Sequence, residues 1–416
     1  MMRRAALLGL LAFGLGAQAP VLQDGSVALR RDRLDWTLGQ EPLEPSSLPS
    51  LEAGWGGAGA QGLRTPLVGA EGLGPGTAGW GLGLQGRWTR EGLAIAATAL
   101  ALRDGNRTLG ILQRGSVAYR WDSGWRLALE QTPLAWGAGL LGGELLGDGA
   151  RPFPRLALGS AKIDLPLGRW RLEAFRGRME GPGPVPDTLP QAPQRQAAAA
   201  AGQDLARPWL EGGLVAATFA ERLELTIGAI SLAGGTDAQG RPAPSAATRT
   251  AHLAQARLRW PGVQGASLLL SRSGWPEAGT RTLAGFQVAR ESWDATLEWA
   301  GAARPPSGPL ALPEHLAGFS SRGDALGPAF GPWTATRSAA WGLPLPGEGR
   351  GRLLLVRATS PLPAPAPEAT WLLQGEARWR TAFGRLGATL ASRRDSQAGP
   401  ARWGWAFSCF QAFRVF

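Results

Sequence analysis

The chain has 416 residues, 44% of them hydrophobic, with 61 glycines, 33 prolines and 19 tryptophans, and that apolar content excludes disorder over most of its length. Its net charge of +11 rests on arginine, because Lys162 is the only lysine; a GC-rich genome produces this bias without any surface built for nucleic acid, which is not an expected partner. Cys409 stands alone, so an intramolecular disulfide and a thiolate metal cage are both excluded.

At the N-terminus, Arg3 and Arg4 precede an apolar run from Ala5 to Leu15 and the small residues Ala17-Gln18-Ala19. The pattern predicts a secretory signal over residues 1–19, too short to span a bilayer as a permanent helix. Pro20 hinders cleavage directly after Ala19, so cleavage is expected after Ala17, and no cysteine follows to carry a lipid anchor. Residues 20–78 are glycine-dense and less regular; they are expected to form a periplasmic or lumenal segment with, at most, a first strand.

Beyond the signal no apolar run reaches the roughly 18 residues of a spanning helix, and the pattern becomes one of alternation. Trp80, Leu82 and Leu84 lead to Trp88; Val117-Tyr119-Trp121, Trp125-Leu127-Leu129 and Trp170-Leu172-Ala174 follow at period two. Leu223, Leu225, Ile227 and Ala229 alternate in the same way, as do Ala256-Leu258-Trp260, Trp293-Ala295-Leu297-Trp299 and Ala377-Trp379-Thr381-Phe383. A soluble sandwich alternates too, but here tryptophan recurs at strand ends, the position of an aromatic ring at lipid headgroup depth.

Short turn clusters, Asp104-Gly105-Asn106 and Asp122-Ser123-Gly124, read as hairpin connections. Proline-rich segments at 181–203, 303–313 and 361–367 are longer and are assigned to the outer face of a barrel. From Trp80 to the end, about 340 residues at roughly 20 per strand and connection give some 17 strands, and the required even number makes it 16 or 18. The expected fold is therefore all-β, a transmembrane antiparallel β-barrel of the bacterial outer membrane over residues 79–416. The aromatic ending, with Phe410, Phe413 and Phe416, resembles the terminal signal of such barrels.

Chemistry-bearing motifs are sparse. His252 and His315 are the only histidines, no H-E-x-x-H spacing exists and no G-x-S-x-G elbow is present, so no catalytic residue, metal or cofactor is assigned. The G-x-G-x-x-G at residues 81–86 continues a strand pattern and reads as barrel wall.

Three stretches carry a family resemblance: Trp136-Gly137 through Glu144-Leu145-Leu146, then Ala150-Arg151-Pro152-Phe153-Pro154-Arg155-Leu156, then residues 167–180. With Pro208-Trp209-Leu210-Glu211-Gly212-Gly213-Leu214, Ala284-Gly285-Phe286, residues 315–327 and Gly331, the succession resembles the capsule assembly family typified by Wzi. That resemblance implies a non-enzymatic outer-membrane barrel lectin that binds capsular polysaccharide or exopolysaccharide and helps assemble or retain it at the cell surface. Outer-membrane lipid and the polysaccharide export machinery are the further partners it implies. Family members are tyrosine-rich, whereas Tyr119 is the only tyrosine here, so tryptophan and arginine must hold the sugar. The candidate polysaccharide-binding residues are Trp136, Arg151, Arg176, Arg178, Arg322 and Trp333, weighed against lumen ion pairs with Glu144, Glu173, Glu180 or Asp324. The alternative is a porin-like channel for anionic solutes drawn by lumen arginines.

Overall fold

A computed structural model describes residues 50–61, 79–104, 107–132, 134, 136–137, 145–146, 153–179, 208–235, 249–260, 263, 265–275, 279–290, 293–301, 320–321, 324–325, 334–347, 349–359, 369–381, 384–395 and 402–414. The expected signal sequence lies outside them.

The alternating segments form strands. In chain order they are β1 (Ser50–Gln61), β2 (Gly79–Arg90), β3 (Leu93–Asp104), β4 (Arg107–Arg120), β5 (Arg126–Gln131), β6 (Arg155–Gly159) and β7 (Ile163–Leu165). Next come β8 (Gly168–Arg178), β9 (Trp209–Phe219), β10 (Leu223–Ala233), β11 (Arg249–Arg259), β12 (Ala266–Trp275), β13 (Gly279–Ala289) and β14 (Asp294–Ala300). The two-residue pair β15 (Ser320–Ser321) and β16 (Asp324–Ala325) stands apart from the main sheet. The last strands are β17 (Ala335–Leu345), β18 (Gly349–Thr359), β19 (Ala369–Thr381), β20 (Gly384–Asp395) and β21 (Arg402–Arg414).

Neighbouring strands of the main sheet are antiparallel, and the sheet closes on itself. β1, within residues 20–78, pairs with β2 on one side and with β21 on the other, Ser50 opposite Arg414 and Gln61 opposite Trp403. β6 and β7 both pair with β8 and are two pieces of one stave broken at residues 160–162. Counted so, the nineteen segments of the sheet among the described residues make eighteen staves, an even number, as an antiparallel seam between β1 and β21 demands. The seam between β1 and β21 closes the sheet, although short β5 covers β4 only from Gly115 to Arg120.

Burial identifies the solvent on each side. On β5, Arg126, Ala128 and Glu130 are buried while Leu127 and Leu129 are exposed; on β14, Thr296 and Glu298 are buried while Leu297 and Trp299 are exposed. Leu82 and Ile227, at 67% and 66%, are among the most exposed large side chains. Apolar outside and polar inside is the reverse of a soluble domain, and suits a wall whose outer face meets hydrocarbon. Among the described residues no helix is long and apolar enough to cross a membrane.

The two ends differ. At one end β1 begins, β21 ends, and the connections are short, such as Glu91-Gly92 and others of two to six residues further on. Glu91 and Gly92 both have positive φ, 47° and 81°, as a two-residue hairpin requires. A Cβ on Gly92 would stand 2.4 Å from the Arg120 carbonyl oxygen, so only glycine fits. The strands flanking 181–203, 303–313 and 361–367 are joined at the opposite end; those segments themselves lie outside the described residues. Short turns inside and long connections outside are the polarity of outer-membrane barrels.

Candidate functional site

Between β5 and β6, the described residues Trp136, Leu145 and Leu146 are buried. Trp136 and Leu146 form an isolated antiparallel bridge, with Trp136 N donating to the Leu146 carbonyl at 2.8 Å and Leu145 N to the Trp136 carbonyl at 3.0 Å. Together with Phe153 these residues join a buried cluster with Phe175, Met179, Leu210, Leu214, Ile230 and Leu232. The wall members of that cluster alternate with the exposed apolar residues of β8, β9 and β10, so the cluster lies inside the barrel.

Two glycines make room for the inserted rings. A Cβ on Gly212 would stand 2.6 Å from Phe175 and 2.8 Å from Trp136; one on Gly177 would stand 2.6 Å from Phe153. The close approach of ring to backbone explains why glycine interrupts β8 and β9 at these points. Trp136 packs edge to face on Phe175 at 5.0 Å, and Phe153 tilts against Phe175 at 6.1 Å.

Beside this wedge is a cavity of about 330 Å³. Trp136, Leu134 and Phe175 are among its apolar lining, and its charged members are Arg120, Arg126, Arg155, Lys162 and Arg171 against Glu130 and Glu173. Glu130 is buried between two arginines. Arg155 donates from Nη2 to Glu130 Oε1 at 2.6 Å and to Thr132 Oγ1 at 2.7 Å, and from Nη1 to the Thr132 carbonyl at 2.5 Å; Arg126 pairs with the other Glu130 oxygen. Arg171 and Glu173 form a second pair at 3.1 Å. Cations outnumber carboxylates five to two in the lining, so its field favours anions. Guanidinium forks suit planar carboxylate and tetrahedral phosphate groups alike.

The sequence candidates separate. Trp136 lines the cavity. Arg176 and Arg178 share the outward face of β8 with Leu172, both over the ring of Trp209 at 4.8 and 6.0 Å, and Arg176 pairs with Glu211 at 3.0 Å. They are thus on the outer wall at the long-connection end, away from Trp136. Arg151, Arg322 and Trp333 lie outside the described residues, as do Glu144 and Glu180. The lumen pair with Glu173 is made by Arg171.

Sequence reading passed over Arg126, Glu130, Arg155 and Arg171. The signal that finds them is parity: on β5, Leu127 and Leu129 face lipid, so positions 126 and 130 face the lumen; on β8, Leu172 faces lipid, so 171 and 173 face inward. The same rule sends 176 and 178 outward.

No protein-family profile matches the sequence, and no curated protein matches it. Among solved structures the chain is similar to Wzi of Escherichia coli, described as an outer membrane protein involved in group 1 capsule assembly and a carbohydrate-binding β-barrel. The TM-score is 0.67 at 16% identity, covering 92% of this chain and 87% of that one. It is also similar to OccK5 (OpdH) of Pseudomonas aeruginosa, with TM-score 0.53, 12% identity and coverage of 88% and 98%. OccK2 (OpdF) of the same organism, in complex with glucuronate, gives TM-score 0.51, 15% identity and coverage of 89% and 98%. At such identities the likeness speaks for the fold: an all-β barrel of the bacterial outer membrane.

Proposed function

We propose that this barrel binds acidic surface polysaccharide and helps assemble or retain capsule or exopolysaccharide at the cell surface, without catalysis. The observation that carries the reading is the aromatic wedge of Trp136 and Phe175 beside a cavity lined by five cations. Aromatic rings offer an apolar face and, for tryptophan, an N–H to a sugar, while arginines take its carboxylates. Trp136 Nε1 is buried with no hydrogen-bond partner among the described residues. The likeness to a carbohydrate-binding barrel supports the same reading. In it, Trp136 serves the lumen, Arg176 and Arg178 the outer rim, and Arg151, Arg322 and Trp333 the remaining contacts; the export machinery supplies the polymer.

Calorimetric titration of the detergent-purified barrel with uronate-containing and neutral oligosaccharides of equal length tests this. The acidic series is expected to bind, to weaken with salt and to weaken again in Arg171→Gln. Equal binding of both series would contradict it.

The second reading is a porin-like channel for anionic solutes. The excess of cations lining the cavity and the likeness to a barrel solved with glucuronate favour it. Planar bilayers separate the two: a plugged lectin barrel is nearly silent, whereas a channel passes a steady anion-selective current.

A further inference from the structure

The outer wall carries a second charged feature that the lumen does not explain. Trp299 of β14 is opposite Arg337 of β17, Arg337 opposite Arg357 of β18, Arg357 opposite Trp371 of β19, and Trp371 opposite Arg394 of β20. All five are exposed and share parity with lipid-facing leucines, such as Leu355, Leu373 and Leu390, so they form one continuous row on the outside of the barrel. Each lies within two residues of its strand's end on the long-connection side.

Depth follows from the register. On β20 the outward positions from Leu386 to Arg394 span about 26 Å at roughly 3.3 Å per residue. At the usual tilt of about 40° that is about 20 Å of membrane depth, close to the height of a barrel's apolar band. The row therefore sits at headgroup level of the outer leaflet.

Its electrostatics ask for an anion. Arg337 and Arg357 are direct cross-strand neighbours, and like charges so placed destabilise a sheet. Among the described residues, the outward positions of β14, β17, β18, β19 and β20 carry no acidic side chain. Arg357 is held with its guanidinium 5.6 Å from the centre of the Trp371 ring. Arginines that merely snorkelled to water would not need to be adjacent.

We propose that Arg337, Arg357 and Arg394, flanking Trp371, bind the phosphate groups of the phosphorylated glycolipid of the outer leaflet. An oxyanion between Arg337 and Arg357 removes their repulsion and accepts bidentate hydrogen bonds from each fork. The tryptophan ring packs against the sugar carrying the phosphate. This assignment rests on the outer-membrane location and is independent of what the lumen binds.

The test is native mass spectrometry of the barrel purified from outer membranes, with wild type compared with the triple variant Arg337→Gln, Arg357→Gln, Arg394→Gln. Folding is checked by gel mobility before boiling. Wild type is expected to retain glycolipid, and the folded triple variant about tenfold less, as loss of several charge-assisted contacts implies. A second arm needs no variant: the wild-type barrel in phosphatidylcholine vesicles containing a phosphorylated glycolipid, or the same lipid enzymatically dephosphorylated. Preferential retention of the phosphorylated form supports the site. Equal retention of both forms, or equal retention by the folded triple variant, overturns it.

Discussion

Trp136 and Phe175 meet edge to face, ring centres 5.0 Å apart with planes at 65°, one from a connection and the other from the barrel wall. The contact ties an inserted segment to the lumen surface, and Gly212 is the floor beneath both rings. A side chain at 212 must displace one of them. Gly212→Val is expected to cost about 1–3 kcal/mol by overpacking. It should lower the temperature at which the folded gel band is lost and raise conductance in planar bilayers. Unchanged values of both would mean that the wedge is not held here.

Glu130 has both carboxylate oxygens engaged by buried guanidiniums. Glu130→Gln removes the shared counter-charge of Arg126 and Arg155, and stranding a buried charge costs about 3–5 kcal/mol. Equilibrium unfolding in urea from lipid vesicles should show a loss on that scale. A change below about 1 kcal/mol, the range of an exposed pair, would place the network in solvent.

Ile227, central in β10 and outward, probes the lipid face. Ile227→Arg is expected to destabilise by about 2–4 kcal/mol if the residue sits near the bilayer midplane, while Ile227→Phe stays near neutral. Folding titrations into vesicles read the difference; equal tolerance of both would contradict a lipid-facing position.

Ala220 and Glu221 both have positive φ, 45° and 57°, in the turn between β9 and β10, closed by Arg222 N donating to the Phe219 carbonyl at 3.0 Å. Asn-Gly suits such a turn better than Ala-Glu. The replacement is expected to stabilise by about 1 kcal/mol, the scale of the left-handed penalty it removes. Thermal shift of the folded band measures it, and no upward shift would argue against the turn geometry.

The wall was readable in the sequence because its outward positions meet hydrocarbon and so alternate with lumen residues at period two; β10 and β14 show it directly. β1 was harder to read, since its glycines and alanines, Gly54, Gly56, Gly57 and Ala58 among them, blur the contrast between faces. The lumen site was less legible. Trp136 was found through resemblance, but Glu130 and Arg155 are 25 residues apart and meet only because β5 pairs with β6. Arg176 and Arg178 show the opposite error available to a reader of single residues: their outward placement follows from Leu172 two positions at a time. The pairing that makes a row of Arg337, Arg357, Trp371 and Arg394 depends on inter-strand register, which no single segment encodes.

Retention of polysaccharide at the cell surface is tested most directly by measuring cell-attached and shed polymer in the source bacterium with and without this gene. The account predicts that deletion moves polymer from the attached to the shed fraction while total synthesis is unchanged, and that a Trp136→Ala copy restores attachment only partly. An unchanged split on deletion would contradict it and leave the anion channel as the reading of the cationic cavity.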